Sequence, residues 1–326
     1  MIDITGKVFG QIYKAGKKIG SGSYGEIYIG TDIKTNKNFA LKLESIYSPH
    51  KKGDHEAKIY KDLAGIRGIP ALKWYGTTLS YNMMVIELLG PSIEALFKYC
   101  GQKFSLKTVV MIAEQLITRI EHIHNKGYIH RDLKPDNFVV GTGMNRGVIY
   151  ALDFGLAKRV KIDNTHIPYR SDKTMTGTAR YTSINSHRGK EMSRRDDLEA
   201  LGYIFVYLLK GKLPWQGLGI DNNDDRDNLI YQHKKITSVE LLCEGLEPEF
   251  SIFLNYARNL SFTDRPNYAY LRTLFKSLSK RMDFKDDFMF DWTIKKLVRK
   301  YIYIFIIELQ LLTIYTYISF WGRGLE

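Results

Sequence analysis

With 326 residues, 44% of them apolar and 13% aromatic, the chain is long enough for about two average domains, and its eight prolines exclude collagenous, low-complexity and disordered classes. Two cysteines, Cys100 and Cys243, are too few for a disulfide framework, and the opening MIDITGKVFGQ lacks the apolar core of a signal peptide, so a reducing intracellular compartment is expected. A formal charge of +13 points to anionic partners without choosing among nucleic acid, membrane surface, phosphate and acidic protein.

In chain order, the first part alternates short apolar runs, Glu26-Ile27-Tyr28-Ile29, Phe39-Ala40-Leu41-Lys42-Leu43 and Met83-Met84-Val85-Ile86, with polar turns such as Thr35-Asn36-Lys37-Asn38. This predicts antiparallel strands. A helix is predicted from about Asp54 to Leu63, with Ala57, Ile59, Tyr60 and Leu63 on its apolar face. Beyond Gly90-Pro91 the period lengthens. Leu106, Val109, Val110, Ala113, Leu116, Ile117, Ile120 and Ile123 mark a long helix stopped at Lys126-Gly127, and a second runs from a capping box at Ser193 to Gly211. The expected fold class is α+β and bilobal: an antiparallel-β lobe with one main helix over residues 1–88, a mostly helical lobe over 89–297, and a hydrophobic tail over 298–326. The hinge is expected near Glu87 to Pro91.

Three constellations carry chemistry. Gly20-Ser21-Gly22-Ser23-Tyr24-Gly25 fits G-x-G-x-x-G, whose glycines let backbone amides approach phosphate. Here a strand follows the loop, where a dinucleotide-binding site requires a helix. Lys42 occupies the strand position of a lysine that pairs ATP phosphates, and Glu56 on the following helix is placed to hold it; Glu44 is the rival partner, but two residues along the same strand it would have difficulty reaching around to the ammonium. The run His130-Arg131-Asp132-Leu133-Lys134-Pro135-Asp136-Asn137, followed by Asp153-Phe154-Gly155, supplies an aspartate to orient a substrate hydroxyl (Asp132) and two magnesium ligands (Asn137 and Asp153). His130 is better suited to supporting the loop backbone than to chemistry.

With these motifs in register, the chain resembles the eukaryotic protein kinases from about Tyr13 to Leu297, and within them it is similar to the casein kinase I family. The residues that carry the closer resemblance are Leu88-Leu89-Gly90-Pro91-Ser92, His166-Ile167-Pro168-Tyr169-Arg170, Gly177-Thr178-Ala179-Arg180-Tyr181-Thr182-Ser183-Ile184-Asn185, Ser193-Arg194-Arg195-Asp196-Asp197-Leu198-Glu199 and Leu213-Pro214-Trp215-Gln216-Gly217-Leu218. Ser183-Ile184-Asn185 stands where most kinases have Ala-Pro-Glu. The resemblance implies a serine/threonine protein kinase using ATP and Mg2+, with Lys134 as the serine/threonine-type residue and Asp197 bracing the catalytic loop. It implies a nucleotide site formed by the glycine loop with Glu26, by Ile19, Ile27, Ala40 and Val139 around the adenine, by Ile86 as gatekeeper, and by Glu87 and Leu89 at the hinge.

Substrates with acidic or phosphorylated segments are implied as partners, with Arg131, Lys158 and Lys173 in one anion pocket and Arg180 and Gly217 in another. The local charge agrees: from Lys158 to Arg195, ten basic residues stand against three acidic ones. The chain departs from its relatives in the loop Gly219-Ile220-Asp221-Asn222-Asn223-Asp224-Asp225-Arg226-Asp227, where they carry lysines. A weakened preference for primed substrates is therefore expected, with Arg226 as a partial substitute. Thr174, Thr176 and Thr178 read as loop hydroxyls or modification sites. A monomer is expected, in cytoplasm or nucleus. A catalytically silent scaffold and a nucleic-acid-binding protein are the alternatives; the second rests on charge alone.

The tail holds a twenty-residue run, Tyr301 to Phe320, with eleven Ile, Leu or Phe. Its length suits one membrane crossing. A charge at mid-span costs about 2.5–3.5 kcal/mol against roughly 0.3–0.6 kcal/mol gained per apolar residue, so Glu308 makes insertion marginal. A tail anchor, a segment packed on the large lobe and a sequence artefact all remain open.

Overall fold

The computed structural model describes residues 4–22, 25–47, 52–78, 80–162, 165–219 and 222–301. Its first part is a six-stranded antiparallel sheet: β1 (Val8–Phe9), β2 (Tyr13–Gly22), β3 (Gly25–Asp32), β4 (Asn38–Ser45), then helix α1 (Gly53–Asp62), then β5 (Leu72–Thr78) and β6 (Tyr81–Glu87), in the order β1-β2-β3-β4-β6-β5. Strand periodicity decides what faces the cleft. Leu41 and Leu43 turn into a core with Tyr28, Met83 and Val85, so Ala40 and Lys42, one residue out of phase, line the other face. Their β6 partners are Ile86 and Met84. β5 and the short β1 are strands not picked out in the sequence.

α1 covers the predicted helix within one residue at each end, and Ala57, Ile59, Tyr60 and Leu63 are buried. Its N-terminus is capped from outside the helix: the Glu44 carboxylate accepts from Lys52 N at 2.8 Å and from Gly53 N at 2.9 Å. Glu44 is thus no rival for Lys42. It satisfies orphan donors of the first turn instead.

The second part is mostly helical: α2 (Ile93–Tyr99), α3 (Leu106–Asn125), β7 (Tyr128–Ile129), β8 (Phe138–Val140), β9 (Ile149–Ala151), β10 (Lys158–Arg159), α4 (Ile184–His187), α5 (Arg194–Lys210), α6 (Asn223–Ile236), α7 (Val239–Leu242), α8 (Pro248–Asn259) and α9 (Tyr268–Arg281). α3 is capped by Ser105, whose hydroxyl accepts from Thr108 N, and is followed by Gly127 at φ +82°. α5 begins where Asp196 accepts from Ser193 N at 2.7 Å and stops at Gly211, φ +88°. α5 is the axis of this lobe, buried nearly all round, and only a helix covered on every side by others can be so apolar.

One sequence expectation fails here. The acidic stretch expected as a loop over 219–227 turns helical at Asn223. Asn222 Oδ1 accepts from Asp224 N at 2.9 Å, and Asp224 and Asp225 occupy the first turn, where carboxylates complement the helix dipole. Ile220, Asp221 and the tail run from residue 302 lie outside the described residues. Among the described residues no helix is long and apolar enough to cross a membrane.

Phe275 of α9 lies fully buried with its ring 5.6 Å from that of Phe205 on α5 and 5.3 Å from that of Phe250 on α8. Phe275→Ala is expected to cost about 3–5 kcal/mol in chemical denaturation. A cost under about 1 kcal/mol, the range of surface changes, would contradict the packing described.

Candidate active site

A cavity of about 690 Å³ lies between the sheet and the helical lobe. Its roof is the hairpin of β2 and β3, where Gly22 pairs with Gly25. Gly25 sits at φ +145°, and a Cβ there would lie 1.9 Å from Leu43 O, so only glycine lets the hairpin close on β4. Ile19, Gly20, Ser21, Gly25, Ile27 and Ala40 line the cavity from above, Val139 and Leu152 from below, and Ile86, Glu87 and Leu89 along its back. Ser23 and Tyr24 lie outside the described residues. Glu26 is a correction: its carboxylate turns from the cavity to accept from Lys18 Nζ and, at 2.8 Å, from Tyr28 Oη.

At the inner end, Lys42 Nζ donates to Glu56 Oε2 at 2.7 Å and Oε1 at 3.0 Å, and to Asp153 Oδ1 at 3.2 Å. Burial alone would lower the lysine's pKa, but the two carboxylates raise it above the ordinary value. Burial would likewise raise Asp153, yet Lys42 beside it holds that carboxyl below its usual range. Both groups are therefore charged at neutral pH.

The loop between β7 and β8 carries the second constellation. Asp132 Oδ2 accepts from Lys134 Nζ at 2.8 Å, and Oδ1 accepts from Thr178 N at 2.9 Å and Thr178 Oγ1 at 2.7 Å. Asn137 Nδ2 donates to Asp132 O at 2.8 Å, which leaves its oxygen as the end able to meet a cation. His130 lies under the loop: Nε2 faces Leu152 O at 2.9 Å and Nδ1 accepts from Asp132 N at 3.3 Å.

The loop's shape is imposed from α5. Asp197, fully buried, accepts from His130 N at 2.7 Å, Arg131 N at 2.9 Å and His124 Nε2 at 2.8 Å. Burial works against its charge, but the hydrogen bonds donated by His124 and by the backbone of His130 hold its pKa below the ordinary value. The bond to Arg131 N offsets a strained backbone there, since Arg131 sits at φ +67°, a region non-glycine residues rarely occupy.

Thr178 is the residue sequence reasoning undervalued. Read as a loop hydroxyl, it contacts an aspartate 46 positions away. The preceding Gly177, φ +92°, permits this, because a Cβ there would lie 2.4 Å from Arg131 O.

The residues expected to bind anions are only partly available. Lys158 Nζ lies 2.7 Å from Glu191 Oε1 and Lys173 Nζ 3.9 Å from Glu191 Oε2, with that carboxylate buried among them. Arg131 Nε donates to Leu156 O at 2.6 Å. This expected anion pocket already contains an anion. Arg180 holds its guanidinium over the rings of Tyr181 and Tyr207, at 5.7 and 5.9 Å, and its carbonyl accepts from Trp215 Nε1 at 2.8 Å. Gly217, φ +74°, has open space where a Cβ would point. Arg226 is exposed on α6, 3.8 Å from Asp227.

The family described as protein kinase domain matches residues 13–274 of this sequence. The chain belongs to the protein kinases. As a member it is a phosphotransferase with protein substrates that uses ATP and a divalent metal, typically Mg2+. The donor set fits that ion. Among the described residues no group of three or more His, Cys, Asp or Glu forms a closed metal cage, and Mg2+ in nucleotide sites takes only one or two carboxylates and completes its shell with phosphate and water. Asp153 and the Asn137 amide oxygen, both on the cavity wall, suit it.

Lys42→Met should cut kcat of the kinase by at least about 100-fold, as removal of a donor aimed at transition-state charge does elsewhere, measured by phosphate transfer to protein. A variant within twofold of wild type would show that this ammonium is not needed. Thr178→Val, which keeps the backbone bond and removes the hydroxyl bond to a carboxylate, should lower kcat/KM by about 10- to 100-fold. Unchanged kinetics would make Thr178 a bystander.

Proposed function

We propose that this kinase is a serine/threonine kinase of casein kinase I type. The observation that carries the reading is the Asp132 carboxylate, tied on one oxygen to Lys134, the serine/threonine-type residue, and on the other to Thr178. The local motifs His166–Arg170, Gly177–Asn185 and Leu213–Leu218 support the subfamily.

In the proposed reaction the acceptor hydroxyl oxygen forms a bond to the γ-phosphorus of ATP, the bond from that phosphorus to the bridging β–γ oxygen breaks, and ADP leaves. The acceptor proton passes to Asp132. Lys42, fixed by Glu56, holds the α- and β-phosphates, and Lys134 offsets charge on the transferring group. Mg2+ held by Asn137 and Asp153 would neutralise charge between phosphates. The glycine hairpin covers the phosphates, while Ile19, Ile27, Ala40 and Val139 enclose the adenine, with Ile86, Glu87 and Leu89 along its edge.

For substrates, we infer acidic segments with a reduced reward for a phosphorylated residue before the acceptor. Glu191 neutralises part of the pocket of Arg131, Lys158 and Lys173, and Asp224 and Asp225 stand exposed on the first turn of α6. Arg180, beside the turn that holds Gly217, remains for the acidic residue. Like charges on that side repel a phosphate and are screened by salt.

Transfer of labelled phosphate from ATP to casein by wild type, absent in Asp132→Asn, tests the catalytic assignment; equal labelling by the two would overturn it. Peptides differing only in Ser, Thr or Tyr should be labelled at Ser and Thr. With phosphoserine, aspartate or alanine three positions before the acceptor, kcat/KM should vary by less than about tenfold, or about 1.4 kcal/mol. A preference of 100-fold or more for phosphoserine would contradict the inferred repulsion.

A further inference from the structure

α6 presents Asp227, Ile230, Tyr231 and Lys234 along one stripe, at the three- and four-residue spacings that share a helix face. That face lies against α4 and the chain leading into it: Tyr231 Oη accepts from Arg188 Nε at 3.0 Å, and its ring stacks on His187 at 5.8 Å. The last residue of the stripe is unusual. Lys234 is 0% exposed, whereas lysine is almost never fully buried without partners.

Its partners are backbone carbonyls. Lys234 Nζ donates to Ala179 O at 2.8 Å and Thr182 O at 2.5 Å, and lies 3.4 Å from His187 Nε2. The Tyr203 and Trp215 rings stand 4.8 and 5.3 Å away, within cation–π range. Burial pushes its pKa down to about 7 even though Glu199 and Asp227 act in its favour. Burial, with Lys234 next to it, pushes His187 down to about 3. A charge so confined is costly unless it does something the apolar alternative cannot.

What it holds is the stretch immediately after Thr178, the residue bonded to Asp132. The carbonyls of Ala179 and Thr182 bind Lys234, and the carbonyl between them, from Arg180, accepts from Trp215. The backbone of 179–182 is thus fixed from below by side chains 35 or more positions later in the sequence.

We propose that Lys234 is a positioning residue for phosphotransfer: its ammonium, fixed between α6 and the acceptor-facing segment, sets the backbone of 179–182 so that Thr178 meets Asp132 and a protein acceptor docks on a preset edge. This rests on the serine/threonine reading of the Asp132 site. Lys234 is fully buried and does not line the nucleotide cavity, so it acts through the segment.

The test compares wild type with Lys234→Met, which conserves bulk and removes the donors, using a serine peptide and ATP as the varied substrates. KM for the peptide should rise by about tenfold or more, since two buried carbonyls lose their donor, while KM for ATP stays within about twofold. Lys234→Gln, neutral but still a donor, should fall between the two. Peptide KM unchanged in Lys234→Met, or peptide and ATP constants rising together, would overturn the proposal. So would failure of both variants to fold, which would make Lys234 a stability residue only. If wild type itself labels no serine peptide, it is the reading of the Asp132 site that fails, and that control separates the two.

Discussion

The contact on which the rest depends is the one between Lys42 and its two carboxylates. It joins a strand of the sheet, the helix behind it and the turn Asp153-Phe154-Gly155, elements with no covalent reason to meet. Breaking a buried pair by removing one partner leaves an uncompensated charge, typically a loss of several kcal/mol, so the geometry of all three is set together. One ammonium against two carboxylates also leaves that end of the cleft short of positive charge. A cation bound at Asn137 and Asp153 would correct the imbalance, and phosphate would arrive with it.

A second set of buried groups fixes the lower half. Asp197 shapes the loop of His130, Arg131 and Asp132 through two backbone amides. Asp196, its neighbour, accepts from Ser183 Oγ at 2.6 Å, and Glu199, one turn on, accepts from Ile184 N at 3.1 Å. The chain at Ser183 and Ile184 is therefore tied to the first turns of the same helix that braces the loop of Asp132. Burial raises the carboxyl of Asp196 to about 6, in keeping with its place in a core rather than at a surface. Motion of α5 would move both halves of the site at once, and its nearly complete burial makes such motion expensive.

Much of this was legible before any coordinates. Lys42 and Glu56 could be paired because strand alternation and helix phase act over a few residues, and the run from His130 to Asn137 brings its chemistry together within one loop. What was missed depends on chain reversal. Glu44 is expected to reach Lys42 only with difficulty, but its role as a cap of α1 depends on amides eight and nine positions later. Glu26, the residue after the glycine motif, is drawn away by Lys18 across the hairpin and by Tyr28 on its own strand. The acids of 224–227 resembled a loop, although an asparagine followed by aspartates is also how a helix begins. Thr178 and Lys234 carried no local signal, since their partners lie 46 and 52 or more positions away.

Glu56→Gln tests the central claim most directly, because it keeps the size of the side chain and one acceptor for Lys42 while removing the charge. The account predicts that phosphate transfer to a serine peptide falls by at least about tenfold, with the loss mainly in kcat, as expected when an interaction matters most in the transition state. Transfer at the wild-type rate by a folded Glu56→Gln protein would contradict it.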